Sequence, residues 1–152
     1  MSTILITGAT GSFGSAFSDF VFRDTTNSIR LLNRDEHRQW AMMGKWLDHS
    51  RATFILADIR DSERMAVACD GIDMLVHAAA LKTVPMGELH AGEFIKTNID
   101  GTRNVRDAAI TKGVGRSLLI SSDKSVAALN NYGASKRIAE SIFREGNSLG
   151  VS

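Results

Sequence analysis

The sequence of 152 residues is poor in cysteine and proline and has no excess of charge. Its single cysteine, Cys69, excludes an internal disulfide and suits a reducing compartment. Eighteen basic against 17 acidic side chains give a formal net charge of +1, which argues against a nucleic-acid partner. No apolar run approaches the roughly 18 residues of a membrane span, and no signal-peptide pattern opens the chain. We therefore expect a cytoplasmic protein with neither nucleic acid nor membrane as a partner.

The 43% hydrophobic content suits one domain over residues 1–152. Short β-rich segments alternate with helical ones, which predicts parallel strands joined by crossover helices. Because the strands are continuous apolar runs, we expect an α/β fold with a doubly wound sheet covered on both faces. The predicted strands are Thr3–Ile6, Ile29–Leu32, Thr53–Leu56, Ile72–Ala78 and Ser117–Ser121.

Five helices are predicted between and after these strands. Their apolar positions are Phe13, Phe17 and Val21; Trp40, Met43 and Leu47; Met65 and Ala68; Phe94, Ile99 and Val105; and Ile138 and Ile142. We interpret Trp40 and Met43 as core residues. The fourth helix is long, from about Gly92 to Lys112, and the fifth begins near Asn131. His77 ends the fourth strand and is interpreted as structural, because no second His or Cys lies at metal-binding spacing; no metal site is predicted.

The segment "TGATGSFG" places Gly8, Gly11 and Gly14 between the first strand and the first helix. This is where the pyrophosphate of a dinucleotide meets a helix N-terminus. Glycine lets the backbone approach the phosphates, whereas a side chain would hold it away. A turn that needs glycine only for its own shape is the alternative, and the strand–loop–helix context favours cofactor binding.

The segment "NRDE" follows the second strand, where dinucleotide-binding domains contact the adenosine ribose. Asn33 does not repel a 2′-phosphate as a carboxylate would, and Arg34 could pair with one, so we predict NADP. A solvated surface arginine is the alternative. After the third strand, Asp58 could accept a hydrogen bond from the adenine amino group, with Ile59 against the ring. Asp58 could also cap the following helix.

Five segments, "TGATGSFG", "HAAALK", "KTNIDGTRNV", "SSDKS" and "YGASK", together resemble the extended short-chain dehydrogenase/reductase superfamily. Within it the chain is most similar to the UDP-N-acetylglucosamine 4,6-dehydratases of the inverting kind. The resemblance covers essentially the whole chain. It implies a Rossmann-like sheet of strand order 3-2-1-4-5, a UDP-sugar substrate and a homo-oligomer. It also implies that the chain ends before strands 6 and 7, without the C-terminal lobe that binds the substrate.

The resemblance assigns roles to the residues of these segments. Tyr132 would take the proton of the sugar 4-hydroxyl, and Lys136 would bind the nicotinamide ribose and supply positive charge beside the phenol. Lys124 would remove the C5 proton, and Asp123 would protonate the departing 6-hydroxyl. Substrate contacts are assigned to Lys82, Ser122, Asp123 and Lys124. Cofactor contacts are assigned to Gly8, Thr10, Gly11, Ser12, Phe13, Gly14, Asn33, Arg34, Asp58, Ile59, Ala78, Ala79, Ala80, Lys82, Asn98, Tyr132 and Lys136.

Two other functions stay open at this point. The chain could be a non-catalytic NADP-binding module, since the expected substrate lobe lies beyond Ser152. It could also be another extended short-chain enzyme, a sugar epimerase or reductase that uses Tyr132 and Lys136 alone. The adjacent Asp123 and Lys124 favour the dehydratase, although a local ion pair on a loop is the simpler interpretation of those two residues.

Overall fold

A computed structural model describes residues 1–44 and 50–148. Its five parallel strands are β1 (Thr3–Thr7), β2 (Ser28–Asn33), β3 (Ala52–Leu56), β4 (Met74–His77) and β5 (Arg116–Leu119). They form one sheet in the order β3-β2-β1-β4-β5. The doubly wound fold and its strand order, predicted from the sequence, are confirmed.

Seven α-helices lie within the described residues. They are α1 (Ser12–Asp24), α2 (Glu36–Met43), α3 (Ser62–Ala68), α4 (Val84–Leu89), α5 (Ala91–Phe94), α6 (Gly101–Thr111) and α7 (Asn131–Ser148). The long helix predicted from Gly92 to Lys112 is present as α5, a π-helical segment (Ile95–Asp100) and α6, which follow one another without a break. Helix α4 was not expected; Pro85 lies in its first turn, where proline fits. None of the helices in the described ranges is long and apolar enough to cross a membrane.

Both faces of the sheet are buried, as the apolar strands predict. On one face Leu5 and Leu75 pack with Met65 of α3. On the other face Ile6 packs with Val21 of α1. Alternate residues of β1 therefore belong to opposite layers, which is the period-2 pattern of a strand covered on both sides.

The interpretation of Trp40 as a core residue is wrong, because its exposed fraction is 76%. Met42 is the buried apolar residue of α2. Gln39 is also buried, and its amide donates to the carbonyl oxygens of Leu31 and Ile55, both at 3.0 Å. The helix therefore faces the sheet with a polar residue that satisfies strand carbonyls, a register that apolar spacing alone does not reveal. Leu47, the third predicted apolar position of this helix, lies outside the described residues.

The fourth strand is shorter at its start than predicted. The carboxylate of Asp73 accepts a hydrogen bond from the backbone N–H of Thr3 at 2.7 Å. The ladder with β1 begins only at the next residue, where Met74 pairs with Ile4. The side chain of Asp73 thus binds the first residue of β1 just before β4 begins. Ile72, one residue earlier, packs in the core.

Candidate functional site

The carboxyl ends of the strands open into one cleft of about 720 Å³. In a doubly wound sheet, ligands bind at this edge where the strand order reverses, and here the reversal lies between β1 and β4. Most of the predicted cofactor contacts line the cleft. They are Gly8, Thr10, Gly11, Ser12, Phe13, Gly14, Asn33, Arg34, Asp58, Ile59, Ala78, Ala79, Ala80, Lys82, Tyr132 and Lys136.

The three glycine positions of the first loop differ in how much room the protein leaves for a side chain. Gly8 has a φ of +69°, and a Cβ there would lie 2.7 Å from the backbone nitrogen of Ala79. A Cβ on Gly14 would lie 2.3 Å from the carbonyl oxygen of Gly8. A Cβ on Gly11 would be 3.2 Å from that same oxygen. The packing of the loop therefore requires glycine at positions 8 and 14, and position 11 has the most room for a side chain. All three glycines line the cleft, and their contact with a cofactor stays a prediction.

The first turn of α1 has the features of an anion site. Its N-cap residue is Gly11, which cannot cap the helix with a side chain, and no acidic residue lies in the first turn. The N–H groups of the first helical residues have no partner within a helix. Ser12 and Phe13, which carry two of these N–H groups, line the cleft. Together with the positive end of the helix dipole, these donors favour a negatively charged ligand.

Two guanidinium groups lie at the end of β2. Nη1 of Arg34 is 3.7 Å from Oδ2 of Asp58, and the Arg34 side chain is 48% exposed. Nε of Arg38, a cleft residue that the sequence analysis did not single out, is 3.5 Å from Oδ2 of Asp35. Both arginines are held loosely at this end of the cleft and can turn towards an added anion.

Asp58 does not cap the following helix, because Asp61 does so by accepting a hydrogen bond from the Arg64 N–H at 3.0 Å. Asp58 instead accepts the backbone N–H of Arg60 at 3.0 Å and its guanidinium at 2.7 Å. Burial acts to raise the pKa of Asp58, but the hydrogen bonds and charge of Arg60 and the charge of Arg34 hold it below its usual value. Asp58 is therefore a fixed hydrogen-bond acceptor at the cleft wall.

Helix α7 brings Tyr132 and Lys136 to the same wall of the cleft, one turn apart. Lys136 is only 4% exposed, and its ammonium donates to the carbonyl oxygen of Ile120 at 2.5 Å. Burial lowers the pKa of Lys136, and the nearby carboxylate of Glu140 opposes that effect. A lysine charge is therefore fixed at the exit of β5, beside the only tyrosine of the sequence.

His77 is structural, as predicted. Its Nδ1 accepts the hydroxyl of Thr7 at 2.6 Å, and its Nε2 lies 3.1 Å from Oγ1 of Thr102. Because the Thr102 hydroxyl donates its own proton to the carbonyl of Asn98 at 2.6 Å, Nε2 of His77 must be the donor in that pair. Burial and the charge of Lys136 lower the pKa of His77 to about 3. The neutral ring thus joins β1, β4 and α6 beneath the cleft.

Asn98 lies behind the wall of the cleft rather than on it. Its Oδ1 accepts the N–H of Leu81 at 2.8 Å, and its Nδ2 donates to the carbonyl of Leu81 at 2.8 Å and to the hydroxyl of Ser135 at 2.9 Å. The amide therefore ties the loop after β4 to α7. These contacts shape the end of the cleft next to α7. Asn98 itself is not among the residues that line the cleft, and the cofactor contact assigned to it stays a prediction.

The predicted acid and base stand apart from the cleft wall. The side chains of Asp123 and Lys124 are 86% and 49% exposed, and Nζ of Lys124 is 3.3 Å from Oδ1 of Asp123. The hydroxyl of Ser122 donates to the same oxygen at 3.0 Å. The hydrogen bonds of Ser122 and Lys124 lower the pKa of Asp123. The structure brings these three residues together as an exposed cluster, next to Ser121, which does line the cleft.

Helix α7 packs directly on the backbone of this loop. A Cβ on Gly133 would lie 2.3 Å from the carbonyl oxygen of Lys124 and 3.3 Å from Cα of Ala128. Only glycine therefore allows the helix to begin so close to Lys124. Gly133 belongs to the segment "YGASK". The need for glycine at this position becomes visible only in the folded structure, where the loop lies against the helix.

Sequence analysis missed several residues of the cleft. They are Leu32, Asp35, Arg38, Ala57, Leu81, Thr83, Thr97, Ile120 and Ser121. Most of them flank predicted strand ends, which is the signal that could have found them. Thr97 is different: it lies in the π-helical segment, it is 5% exposed, and its hydroxyl has no hydrogen-bond partner among the described residues. A buried unpaired hydroxyl beside a cleft marks a position where a ligand can supply the missing partner.

Known proteins are similar to this chain in sequence and in fold. A UDP-N-acetylglucosamine 4,6-dehydratase (inverting) from Campylobacter jejuni is 40% identical over 147 residues, which are 96% of this chain and 44% of that protein. A UDP-glucose 4-epimerase from Rickettsia felis is 40% identical over 144 residues, which are 92% of this chain and 42% of the other. The chain thus spans less than half the length of the curated relatives it matches.

Solved structures support the same relationship. DesIV, a dTDP-glucose 4,6-dehydratase from Streptomyces venezuelae with NAD and TYD bound, matches with a TM-score of 0.89 and 25% identity, over 98% of this chain and 53% of that one. The model of a family described as "Polysaccharide biosynthesis protein" matches residues 4–150. The resemblance to sugar-nucleotide enzymes of the short-chain superfamily is confirmed. This chain belongs to the polysaccharide biosynthesis protein family.

Proposed function

We propose that this chain is the cofactor-binding and catalytic part of an enzyme that remodels nucleotide sugars. Its reaction, on this proposal, is the 4,6-dehydration of UDP-N-acetylglucosamine with inversion at C5. The supporting observation is that one cleft combines a helix N-terminus free of acidic side chains with the Tyr132–Lys136 pair. The two curated relatives described above are named for reactions on UDP-sugars, a dehydration and an epimerisation.

The residues of the cleft fit a nicotinamide dinucleotide, and we infer that it is NADP. The N-terminus of α1 and Gly11 would hold the pyrophosphate, and Asp58 would accept the adenine amino group. Arg34 and Arg38 would bind the 2′-phosphate, which the neutral Asn33 does not repel. When bound, the nicotinamide would supply both the acceptor and the donor of the hydride, so the cycle would need no outside oxidant.

The chain's own groups move the protons. Tyr132 removes the proton of the sugar 4-hydroxyl, and the fixed ammonium of Lys136 stabilises the negative charge that develops on the phenol oxygen. Loss of hydride from C4 leaves a 4-keto sugar, whose C5 proton is acidic. Lys124 takes that proton, the bond from C6 to its hydroxyl breaks, and a proton from Asp123 completes the departing water. Return of the hydride to C6 and of a proton to the opposite face of C5 would then give the 4-keto-6-deoxy sugar with inversion at C5.

The ion pair of Asp123 and Lys124 suits this step. One proton transfer within the pair, across the 3.3 Å contact, converts it into a neutral amine and a carboxylic acid. These are the base and the acid that the elimination requires. A bound sugar would exclude water from the exposed pair, and loss of water disfavours both charged forms, so binding itself favours the neutral pair.

A UDP-sugar 4-epimerase is the second candidate. It would use only Tyr132 and Lys136, and the observation in its favour is that Asp123 and Lys124 do not line the cleft. Incubation with UDP-N-acetylglucosamine in D2O distinguishes the two candidates by mass spectrometry. A product that has lost one water and gained deuterium at C5 supports the dehydratase. Interconversion of 4-epimers without loss of water supports the epimerase, and cofactor binding with neither reaction supports a non-catalytic module.

The ligand site can be tested without turnover. Thr97→Val removes a buried hydroxyl that has no protein partner, so we expect unchanged or higher stability but weaker dinucleotide or sugar-nucleotide binding. Ser117→Ala is the matched control, because the Ser117 hydroxyl is likewise buried and unpaired but lies away from this cleft. Titration with NADPH alone, and then with UDP-N-acetylglucosamine present, shows which ligand contacts Thr97. Identical affinities in both variants and the parent would contradict a ligand contact at Thr97.

Self-association also stays a prediction. Light scattering during size-exclusion chromatography measures it directly, and a strictly monomeric chain would contradict it.

A further inference from the structure

Glu140 lies on α7 one turn beyond Lys136 and belongs to no motif that the proposed function uses. Its Oε1 accepts the hydroxyl of Ser125 at 2.5 Å and also accepts the hydroxyl of Ser121. These two serines flank the Ser122–Lys124 segment on its two sides. One carboxylate oxygen therefore holds both ends of the exposed loop against the helix that carries Tyr132 and Lys136.

The contacts follow the chain residue by residue as it leaves β5. The carbonyl of Ile120 accepts the ammonium of Lys136, and the hydroxyl of Ser121 reaches Glu140. The carbonyl of Ser122 lies 2.7 Å from the hydroxyl of Ser125. A hydroxyl has one proton, so Ser125 donates either to this carbonyl or to Glu140 at any moment. The exit of the strand is thus attached to α7 at successive residues, and the carboxylate is the shared acceptor.

Glu140 also faces the buried charge of Lys136. The ammonium donates to the carbonyl of Ile120 after β5, the carboxylate of Glu140 lies one turn further along its own helix, and the charge of the ammonium acts on His77 of β4. His77 is neutral near pH 7, because its pKa is lowered to about 3. Burial lowers the pKa of Lys136, and the carboxylate of Glu140 raises it. The hydroxyls of Ser121 and Ser125 lower the pKa of Glu140, which keeps it charged.

We propose that Glu140 is a positioning residue of this site: its charge keeps the Lys136 ammonium in place, and its hydrogen bonds fix the loop that carries Asp123 and Lys124. The proposal rests on the proposed function for its catalytic meaning, but both of its physical parts can be measured without a ligand. Glu140 contacts neither the cleft nor a reacting atom, so it acts through Lys136 and the two serines.

The charge is tested by following the titration of Lys136 by NMR in protein labelled with 13C-lysine, the signal being assigned with Lys136→Met. Glu140→Gln keeps the size and an acceptor oxygen but removes the charge, so the Lys136 titration midpoint should fall. Ser125→Ala keeps the charge and should leave the midpoint in place. Glu145→Gln, which removes another carboxylate of α7, should do the same. An unchanged midpoint in Glu140→Gln would overturn the charge role.

The attachment of the loop is tested by amide hydrogen exchange over residues 120–126. Glu140→Ala removes both hydrogen bonds, and exchange in this segment should become about tenfold faster or more, while Glu140→Gln retains most of the protection. Exchange in Glu140→Ala that equals the parent would overturn the attachment role. Calorimetric titration with NADPH separates this proposal from the proposed function. A parent chain that binds no dinucleotide defeats the function, whereas the two ligand-free measurements still decide the role of Glu140.

Discussion

The two lysines of the site differ in burial and in how firmly their ammonium groups are held. Lys136 is 4% exposed, and its ammonium is fixed by a backbone carbonyl and a nearby carboxylate. The side chain of Lys124 is 49% exposed and forms an ion pair with the neighbouring Asp123, on a loop outside the cleft. A charged group that the protein already holds in place needs little further ordering during the reaction. An exposed one loses conformational entropy when a ligand orders it. We infer that the fold supplies Lys136 and that a bound substrate must complete the position of Lys124.

The same contrast divides the rest of the site. Gly8 and His77 are held by packing and hydrogen bonds within the core, and their substitution should first damage the fold. Arg34 and Asp123 lie in partly exposed positions with adjustable contacts, and their substitution should first damage ligand binding or chemistry. Substitutions can show, for each residue, whether it mainly stabilises the fold or mainly serves ligand binding and chemistry.

The largest effect is expected from Lys124→Met. If Lys124 removes the C5 proton, deuterium exchange at C5 should fall by about 10² to 10⁴, the usual contribution of a general base. NADPH affinity should stay at the parental value, because Lys124 contacts no part of the cleft wall. Lys136→Met should show the opposite pattern and lose affinity for the dinucleotide. C5 exchange and NADPH affinity are measured for both variants. Exchange at the parental rate in Lys124→Met would show that Lys124 is not the base and is only a charged residue of the loop.

The glycine loop gives the next effect, on stability. Gly8→Ala should lower the free energy of unfolding by about 3 kcal/mol or more, because a side chain is strained at a φ of +69° and meets the backbone of Ala79. Gly11→Ala should lower stability less, because its Cβ would lie 3.2 Å from the carbonyl oxygen of Gly8, and it should weaken NADPH binding. Urea denaturation and titration measure the two effects. Equal destabilisation by both substitutions would mean that Gly11 is also required by the loop itself.

Much of this architecture was readable from the sequence because it depends on local patterns. The apolar strands and the glycine loop follow from short-range patterns. The strand order, which the family resemblance implied, is confirmed. The failures have a common cause, which is contact between distant segments. Trp40 is exposed because Gln39, a polar residue, faces two strand carbonyls, and no spacing rule identifies a buried glutamine.

The same limit applies within the site. Asn98 belongs to a recognisable segment, but its contacts with Leu81 and Ser135 join parts of the chain that are far apart in sequence. Gly133 and Glu140 are important because the loop after β5 folds back on α7, and that approach is visible only in three dimensions. Sequence patterns therefore located the groups of the cleft better than the residues that hold them.

Lowering the pH should decrease the free energy of unfolding through protonation of the buried His77. The folded pKa of about 3 lies below the usual 6.5, so the unfolded chain binds the proton more readily. The stability that this group contributes is complete above pH 6.5 and is lost as the pH falls towards 3. From pH 6.5 to 5 the loss should be about 1.6 kcal/mol. Urea denaturation of the parent and of His77→Gln over this range isolates the contribution, because the two proteins differ at this one side chain. Parallel pH profiles for the two would exclude it.

The smallest effect is expected on the exposed side, at Arg34. Arg34→Ala should reduce the preference for NADPH over NADH by about tenfold, the value of one charge-assisted contact of about 1.4 kcal/mol. Arg103→Ala is the matched control, since that arginine is similarly exposed at 52% and lies on α6 away from the cleft. The ratio of the two dissociation constants is the useful quantity, because loss of the contact between Arg34 and Asp58 affects both dinucleotides alike. Since this guanidinium is partly exposed, the preference should also shrink at high salt. A ratio that Arg34→Ala leaves unchanged would move the 2′-phosphate contact to Arg38 or remove the basis for NADP.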